Sequence, residues 1–401
     1  MFFGLGFWNR KVSYEVFLQS EGRWQLDCVC DEEEVAIAEA KRILATGRST
    51  LTKVVRLRTL VNGASSETVV YEQEVKVASV KPISISTPSG EVVVCRGVDD
   101  ILGPAGRRTV GQVMRDYLQR TGITATELLH NYSHQRKLQD KGGLIIAAVH
   151  KVAGLQAAAT GETAKARVGV LDKLVDEVER KARMFAGERG GYPPFRGSDL
   201  AGYSAAVRAK AGDEAHDYAL RSLLSVWLFE FRSLPAKVEV LANLAMETPD
   251  PALSPLLDGM LADGLIFAEV VQELFGAQPS LGHCLVAMAG ILVGHDEAVA
   301  NAPSPALKQI AGLIRSGIAP ESRDAMAERL LRELASDRPL DSRNPENDPT
   351  LLEALVPLLT AENMPLDRER VEKLLAERRT RQRQAVLRAH GLHSVADNLR
   401  P

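Results

Sequence analysis

The sequence predicts a mostly helical fold with a small α+β module at its N-terminal end. Three observations carry that expectation. Residues 13–77 hold four stretches of period-two apolar alternation around one helical stretch. From about residue 203 onward the apolar spacing is helical, with only short breaks. Hydrophobic residues make up 45% and charged residues 25% of the 401, ordinary globular usage that can bury a sizeable core.

In the module, residues 13–18 (SYEVFL) and 23–30 (RWQLDCVC) alternate and are separated by a turn ending in glycine, which reads as a hairpin. Asp31 follows as a candidate N-cap. Glu32, Glu33 and Glu34 then suit the positive end of a helix, and Lys41 and Arg42 suit the negative end. Val35, Ile37, Ala38 and Ile43 are the expected apolar stripe, and Gly47 the stop. The acidic run thus has the spacing of a helix start rather than of a cation loop. Two more alternating runs, 53–61 (KVVRLRTLV) and 67–77 (ETVVYEQEVKV), flank Asn62-Gly63, a pair that tolerates positive φ. The expected module, residues 1–77, is therefore a β-β-α-β-β antiparallel sheet with one covering helix. Arg56 and Arg58 belong to a solvated face paired with the acidic strand, or alternatively to an anion-binding face.

Four cysteines (Cys28, Cys30, Cys95 and Cys284) are too few and too scattered for a disulfide framework. Cys28 and Cys30 share one strand face and read as reduced thiols packed as small hydrophobes. The opening MFFGLGFWNR lacks the charged and apolar regions of a signal peptide, and its Phe2, Phe3, Phe7 and Trp8 suggest docking on the body or on a partner. No stretch approaches the roughly 18 uncharged apolar residues of a membrane span. A cytoplasmic chain is expected. The net charge of −3 argues against a surface coated for nucleic acid or an anionic membrane.

Residues 78–186 read as a linker, a short β-hairpin and a helical hairpin. Residues 78–90 are rich in Ser and Pro, and 91–96 (EVVVCR) form a short β-type run. Residues 103–109 (GPAGRRT) lack the glycine spacing and the lysine of a phosphate loop, so a helix-entry loop is expected there. Val110, Val113, Met114, Tyr117 and Leu118 then share a helix face over 109–121, and Thr124 with Glu127 makes a capping box for the next helix. No polar recognition helix follows, which argues against DNA binding.

Glu127, His130 and His134 fall on one side of that next helix and are the nearest approach to a metal constellation. Asn131 stands where a zincin needs glutamate, and no second Glu-x-x-His occurs. Packed polar helix residues are the simpler reading. Residues 144–158 and 162–186 complete a helical hairpin, joined around Thr160-Gly161.

Residues 187–202 hold five glycines and two adjacent prolines. They form either an interdomain linker or a functional loop with Tyr192, Phe195 and Arg196 at its tip. Residues 203–401 are expected to form an all-helical domain. Its helices fall near 203–211, 214–233, 236–247, 252–263, 265–275, 281–295, 303–316, 321–335, 348–359 and 366–389. PDPAL at 249–253 and PSPAL at 303–307 echo each other, but uneven separations favour an irregular multi-helix body over a degenerate helical repeat. The last helix carries Arg378, Arg379, Arg381 and Arg383, a solvated basic face or a surface for an acidic partner or RNA, without aromatics for base stacking.

No nucleophile elbow, metal motif or nucleotide motif is complete. The expectation is a non-enzymatic, bacterial-type regulatory or adaptor protein in signalling. It would act without a cofactor, through protein partners or a second copy of itself. Two alternatives stand beside it. One is a metal-dependent enzyme at Glu127, His130 and His134. The other is a nucleic-acid-binding regulator using residues 107–137 or the C-terminal arginines.

Overall fold

A computed structural model describes residues 12–20, 23–59, 65–74, 82–88 and 92–399. The fold is mostly α with an N-terminal α+β module. The chain forms two compact units, Met1–Ser84 and Ile85–Pro401. The aromatic residues Phe2, Phe3, Phe7 and Trp8, the Asn62-Gly63 turn and part of the 78–90 stretch lie outside the described residues.

The first unit contains β1 (Val12–Ser20), β2 (Arg23–Cys30), α1 (Glu33–Ala45), β3 (Leu51–Thr59) and β4 (Ser65–Glu74). The strands are antiparallel in the order β2-β1-β3-β4, so α1 carries the chain from one edge across β1 to β3. Val16 of β1 stands opposite Cys28 on one side and Val54 on the other. Alternation then places Val16, Leu18 and Val54 on one face, where they pack with Ala36, Ala40 and Ile43 of α1. Of the expected stripe Ile43 is buried and Ile37 packs at its edge, but Ala36 and Ala40 take the centre and Val35 is 53% exposed. Small alanines let the helix approach the sheet closely.

Cys28 and Cys30 are free thiols on this covered face, their Sγ atoms 4.0 Å apart. Burial, then the Cys30 neighbour, pushes the Cys28 thiol up to about 12. Lys53 on the opposite face lies over the rings of Trp24 and Phe17, at 4.3 Å and 5.4 Å. Of the basic residues expected to pair with β4, only Lys53 stands opposite an acidic residue, Glu72. Arg56 and Arg58 stand opposite Thr68 and Ser66, because an irregularity at Val54/Val55 shifts the ladder.

The second unit is helical. Its first part holds α2 (Val98–Leu102), α3 (Pro104–Val113), α4 (Arg115–Thr121), α5 (Ala125–His130), α6 (Tyr132–Gln139), α7 (Leu144–Thr160) and α8 (Ala164–Glu188). The middle holds α9 (Leu200–Ala211), α10 (Asp213–Trp227), α11 (Leu234–Glu247), α12 (Ser254–Leu265), α13 (Ala268–Phe275), α14 (Leu281–Leu292) and α15 (Asp296–Ala300). The last part holds α16 (Pro305–Arg315), α17 (Pro320–Ala335), α18 (Asp348–Leu359), α19 (Arg368–Ala389) and α20 (His393–Asn398).

Sequence and structure differ at three places here. Residues 103–109 are not an entry loop: Gly103 is the N-cap and Pro104 opens α3, where its missing N–H costs nothing. Residues 92–96 form no strand. Side chains satisfy their carbonyls instead, as Gln156 donates to Val93 O at 2.7 Å and Arg167 to Cys95 O at 2.6 Å. Residues 85–186 and 203–401 belong to one unit, in which α5 packs on α10 and α12, and α3 on α12.

No single helix among the described residues is long and apolar enough to cross a membrane. Only α6 with α7, meeting at 96°, passes as a bent pair by length and composition.

Candidate functional site

Glu127 performs the capping role expected of it. Its Oε2 accepts the Thr124 N–H at 2.8 Å, while Thr124 Oγ1 accepts the Glu127 N–H at 3.3 Å. The carboxylate is fully buried, and its Oε1 is 2.6 Å from Lys237 Nζ on α11. Burial pushes this carboxyl above the usual range, and the Lys237 ammonium pulls the other way. Lys237 also donates to Gly122 O at 2.8 Å.

The three expected metal ligands do not share a helix face. Asn131 interrupts the helix at φ −121° and ψ 110°, and its side chain caps α6 through the Ser133 N–H. His130 therefore ends α5 while His134 lies on α6. His130 Nδ1 donates to Thr126 O at 2.9 Å, and its ring lies 5.0 Å from that of Tyr218. His134 stacks on Phe229 at 4.5 Å. Burial holds both imidazoles down at about 3, with Arg221 adding to the effect on His130 and Lys237 on His134. Among the described residues, no group of three or more His, Cys, Asp or Glu side chains is disposed to hold a metal ion.

A second buried polar cluster escaped sequence reading. Arg107, on α3, is 1% exposed and pairs with Glu321 of α17 at 2.6 Å and Asp263 of α12 at 3.6 Å. Asp263 Oδ2 in turn accepts from Thr126 N and Oγ1, at 2.7 Å and 2.6 Å. Asp258, one turn earlier on α12, caps α17 through the Glu321 and Ser322 N–H groups at 2.7 Å and 2.9 Å. A Cβ on Gly259 of α12 would collide with the Arg107 guanidinium, so a larger residue there would displace it from its carboxylate partners. Arg107 faces two carboxylates, Glu321 and Asp263, while Asp258 is held by backbone N–H groups rather than by a cation. The cluster ties α3, α5, α12 and α17 together. The only advance signal was Arg107 in an otherwise weak glycine-rich run.

The loop 187–202 is pinned rather than projecting. Phe195 is 5% exposed, with its ring 5.0 Å from Tyr203 and 5.1 Å from Trp227. Tyr192 packs on Phe185 at 5.6 Å and under Lys210 at 4.4 Å. Arg196 alone of the three expected tip residues is exposed.

Helical periodicity divides the C-terminal arginines. Arg378 is 4% exposed and donates to the carbonyls of Glu333, Leu334, Ser336 and Arg338, which closes the C-terminal end of α17. Arg381 joins it, bonding Ala335 O at 2.8 Å and the Asp337 carboxylate at 2.7 Å. These two are structural. Arg379 and Arg383, one turn apart, are exposed and line a recess of about 550 Å³ with Pro349, Leu352, Val386, Leu387 and Leu399. A second recess of about 660 Å³ shares Pro349, Gln382 and Val386 with it, so the two form one groove around α19. Val386, at their junction, is 56% exposed. The groove has an apolar floor, with Arg379 and Arg383 beside Glu353 in the first recess and Asp337, Glu346 and Asp348 in the second, and no Phe, Tyr or Trp in its lining.

Compared with family models, curated proteins and solved structures, the chain matches none of them.

Proposed function

We propose that this chain is a non-enzymatic regulatory or adaptor protein that acts through protein partners, with the groove along α19 as its partner-binding surface. One observation supports this reading above the others: Arg379 and Arg383 flank an apolar floor that includes the exposed Val386. That combination suits an acidic amphipathic segment, whose apolar side chains fill the floor and whose carboxylates meet the guanidinium groups. The lack of aromatic stacking platforms in the lining favours protein over single-stranded nucleic acid.

Fluorescence anisotropy with a panel of acidic amphipathic helical peptides tests the proposal. Binding should weaken with added salt. It should also fall about tenfold or more in Val386→Asp and in the Arg379→Glu/Arg383→Glu pair. Peptides that bind all three proteins equally, or none of them, would reject the groove. Turnover of a generic hydrolase or transferase panel, lost on mutating one buried polar cluster, would reject the non-enzymatic role.

A further inference from the structure

The N-terminal unit carries a feature independent of the groove. Cys28 and Cys30 lie two apart on β2, where the ladder is regular and they stand opposite Val16 and Tyr14. Alternation sets both sulfurs on the same side of the strand, 4.0 Å apart. β2 is an edge strand, and both residues are half-buried rather than enclosed.

The spacing suits an ion better than a disulfide. Residues two apart on a strand have Cα atoms about 6.6 Å apart, close to the upper limit of about 6.8 Å for a disulfide. Metal–thiolate bonds of about 2.3 Å join sulfurs up to about 4.6 Å apart. The 4.0 Å gap therefore admits one ion between the two sulfurs with little movement.

The surroundings set the class of ion. Residues 1–84 contain no histidine and no third cysteine. The carboxylates beside the pair are engaged: Asp27 accepts from Arg48 at 2.8 Å, and Glu39 from Arg42 at 2.6 Å. A four-ligand zinc or iron–sulfur site is thus two soft donors short. Two thiolates alone suit a soft ion of low coordination number. Burial disfavours a bare thiolate at Cys28, so an ion held here must bond sulfur strongly enough to displace its proton.

We infer that Cys28 and Cys30 form a two-sulfur site for monovalent copper, bound between the two thiolates. Binding breaks both S–H bonds, forms two copper–sulfur bonds and releases two protons to solvent, with no change of oxidation state.

The test titrates copper(I) anaerobically into the reduced full chain against the chromophoric chelator bathocuproine disulfonate. One ion per chain should be retained, with two protons released per ion. X-ray absorption at the copper edge should show two sulfur neighbours. Cys28→Ser and Cys30→Ser should each weaken binding by about a hundredfold or more, since even the outer partners of a metal ligand are worth about 10–100-fold. Cys95→Ser and Cys284→Ser should leave it unchanged, and excess zinc(II) should not displace the copper. Loss of all copper to the chelator would overturn the inference. So would binding that survives Cys28→Ser or Cys30→Ser, binding that depends on Cys95 or Cys284, or zinc(II) competing on equal terms. The absorption spectrum uses the unaltered chain, so oxygen or nitrogen neighbours reject the site even if a serine variant does not fold.

Discussion

Replacing Lys237 with methionine tests the central strut of the helical unit. The Lys237 and Glu127 side chains are 3% and 0% exposed, with Nζ and Oε1 2.6 Å apart. At an effective dielectric of about 20, that separation corresponds to about 6 kcal/mol of attraction, most of it offset by the cost of taking both charges out of water. Lys237→Met removes the attraction and leaves that cost. It strands a buried carboxylate and frees the Gly122 carbonyl. The expected loss is about 3–5 kcal/mol. In Glu127→Gln/Lys237→Met no buried charge remains, and at least about 2 kcal/mol should return. Urea unfolding followed by far-UV circular dichroism reads mainly the helical unit, and amide exchange in α5 and α11 localises the effect. A loss below about 1 kcal/mol for Lys237→Met would refute the reasoning. So would a double variant as unstable as the sum of the two single changes.

Two further predictions follow from buried groups. His130 and His134 are held at about 3 in the folded chain, against about 6.5 for a free imidazole, so the unfolded chain takes up protons first as pH falls. Stability contributed by the neutral rings is complete above about pH 6.5 and declines toward about pH 3, by at most about 1.4 kcal/mol per pH unit for each ring. Urea midpoints measured across that range should show this slope, and His134→Phe should remove its share. Arg378→Met should cost about 3 kcal/mol, since four carbonyls at the end of α17 lose a charged donor, whereas Arg379→Met should change thermal stability by less than about 0.5 kcal/mol.

Local chemistry was legible where neighbouring residues decide it. The Thr124–Glu127 capping box formed as its spacing implied, and residues 348–359 fold as α18 with the expected bounds. The four strands and the helix between them follow from alternation and charge order. Nonlocal matching was not legible. Nothing in the run of arginines at 378–383 shows that the open carbonyl end of α17 awaits two of them. Asn131 looked like an ordinary helix residue because its side chain competes for the backbone at close range, and sequence cannot show which arrangement wins. Arg107 sat in a glycine-rich run whose partners, Asp263 and Glu321, lie more than a hundred positions away. The candidate groove was half visible. Its cations were on the page, but its floor needed α18 and α19 brought side by side.

The mooring of α7 is asymmetric, and this has a kinetic consequence. Its C-terminal half is anchored by Gln156, which bonds Val93 O and accepts from Arg167 at 2.5 Å. Its N-terminal end springs from two left-handed glycines, Gly142 and Gly143, at φ 55° and 43°. Ile145, Ala148, Val149 and Val152, which line a half-open apolar cleft of about 160 Å³, all lie toward that less anchored end. Fraying of the first turns of α7 therefore reshapes the cleft without disturbing the anchor. Exchange of the amides at residues 147–152 should therefore outpace that of residues 153–160, which lie beside the Gln156 anchor.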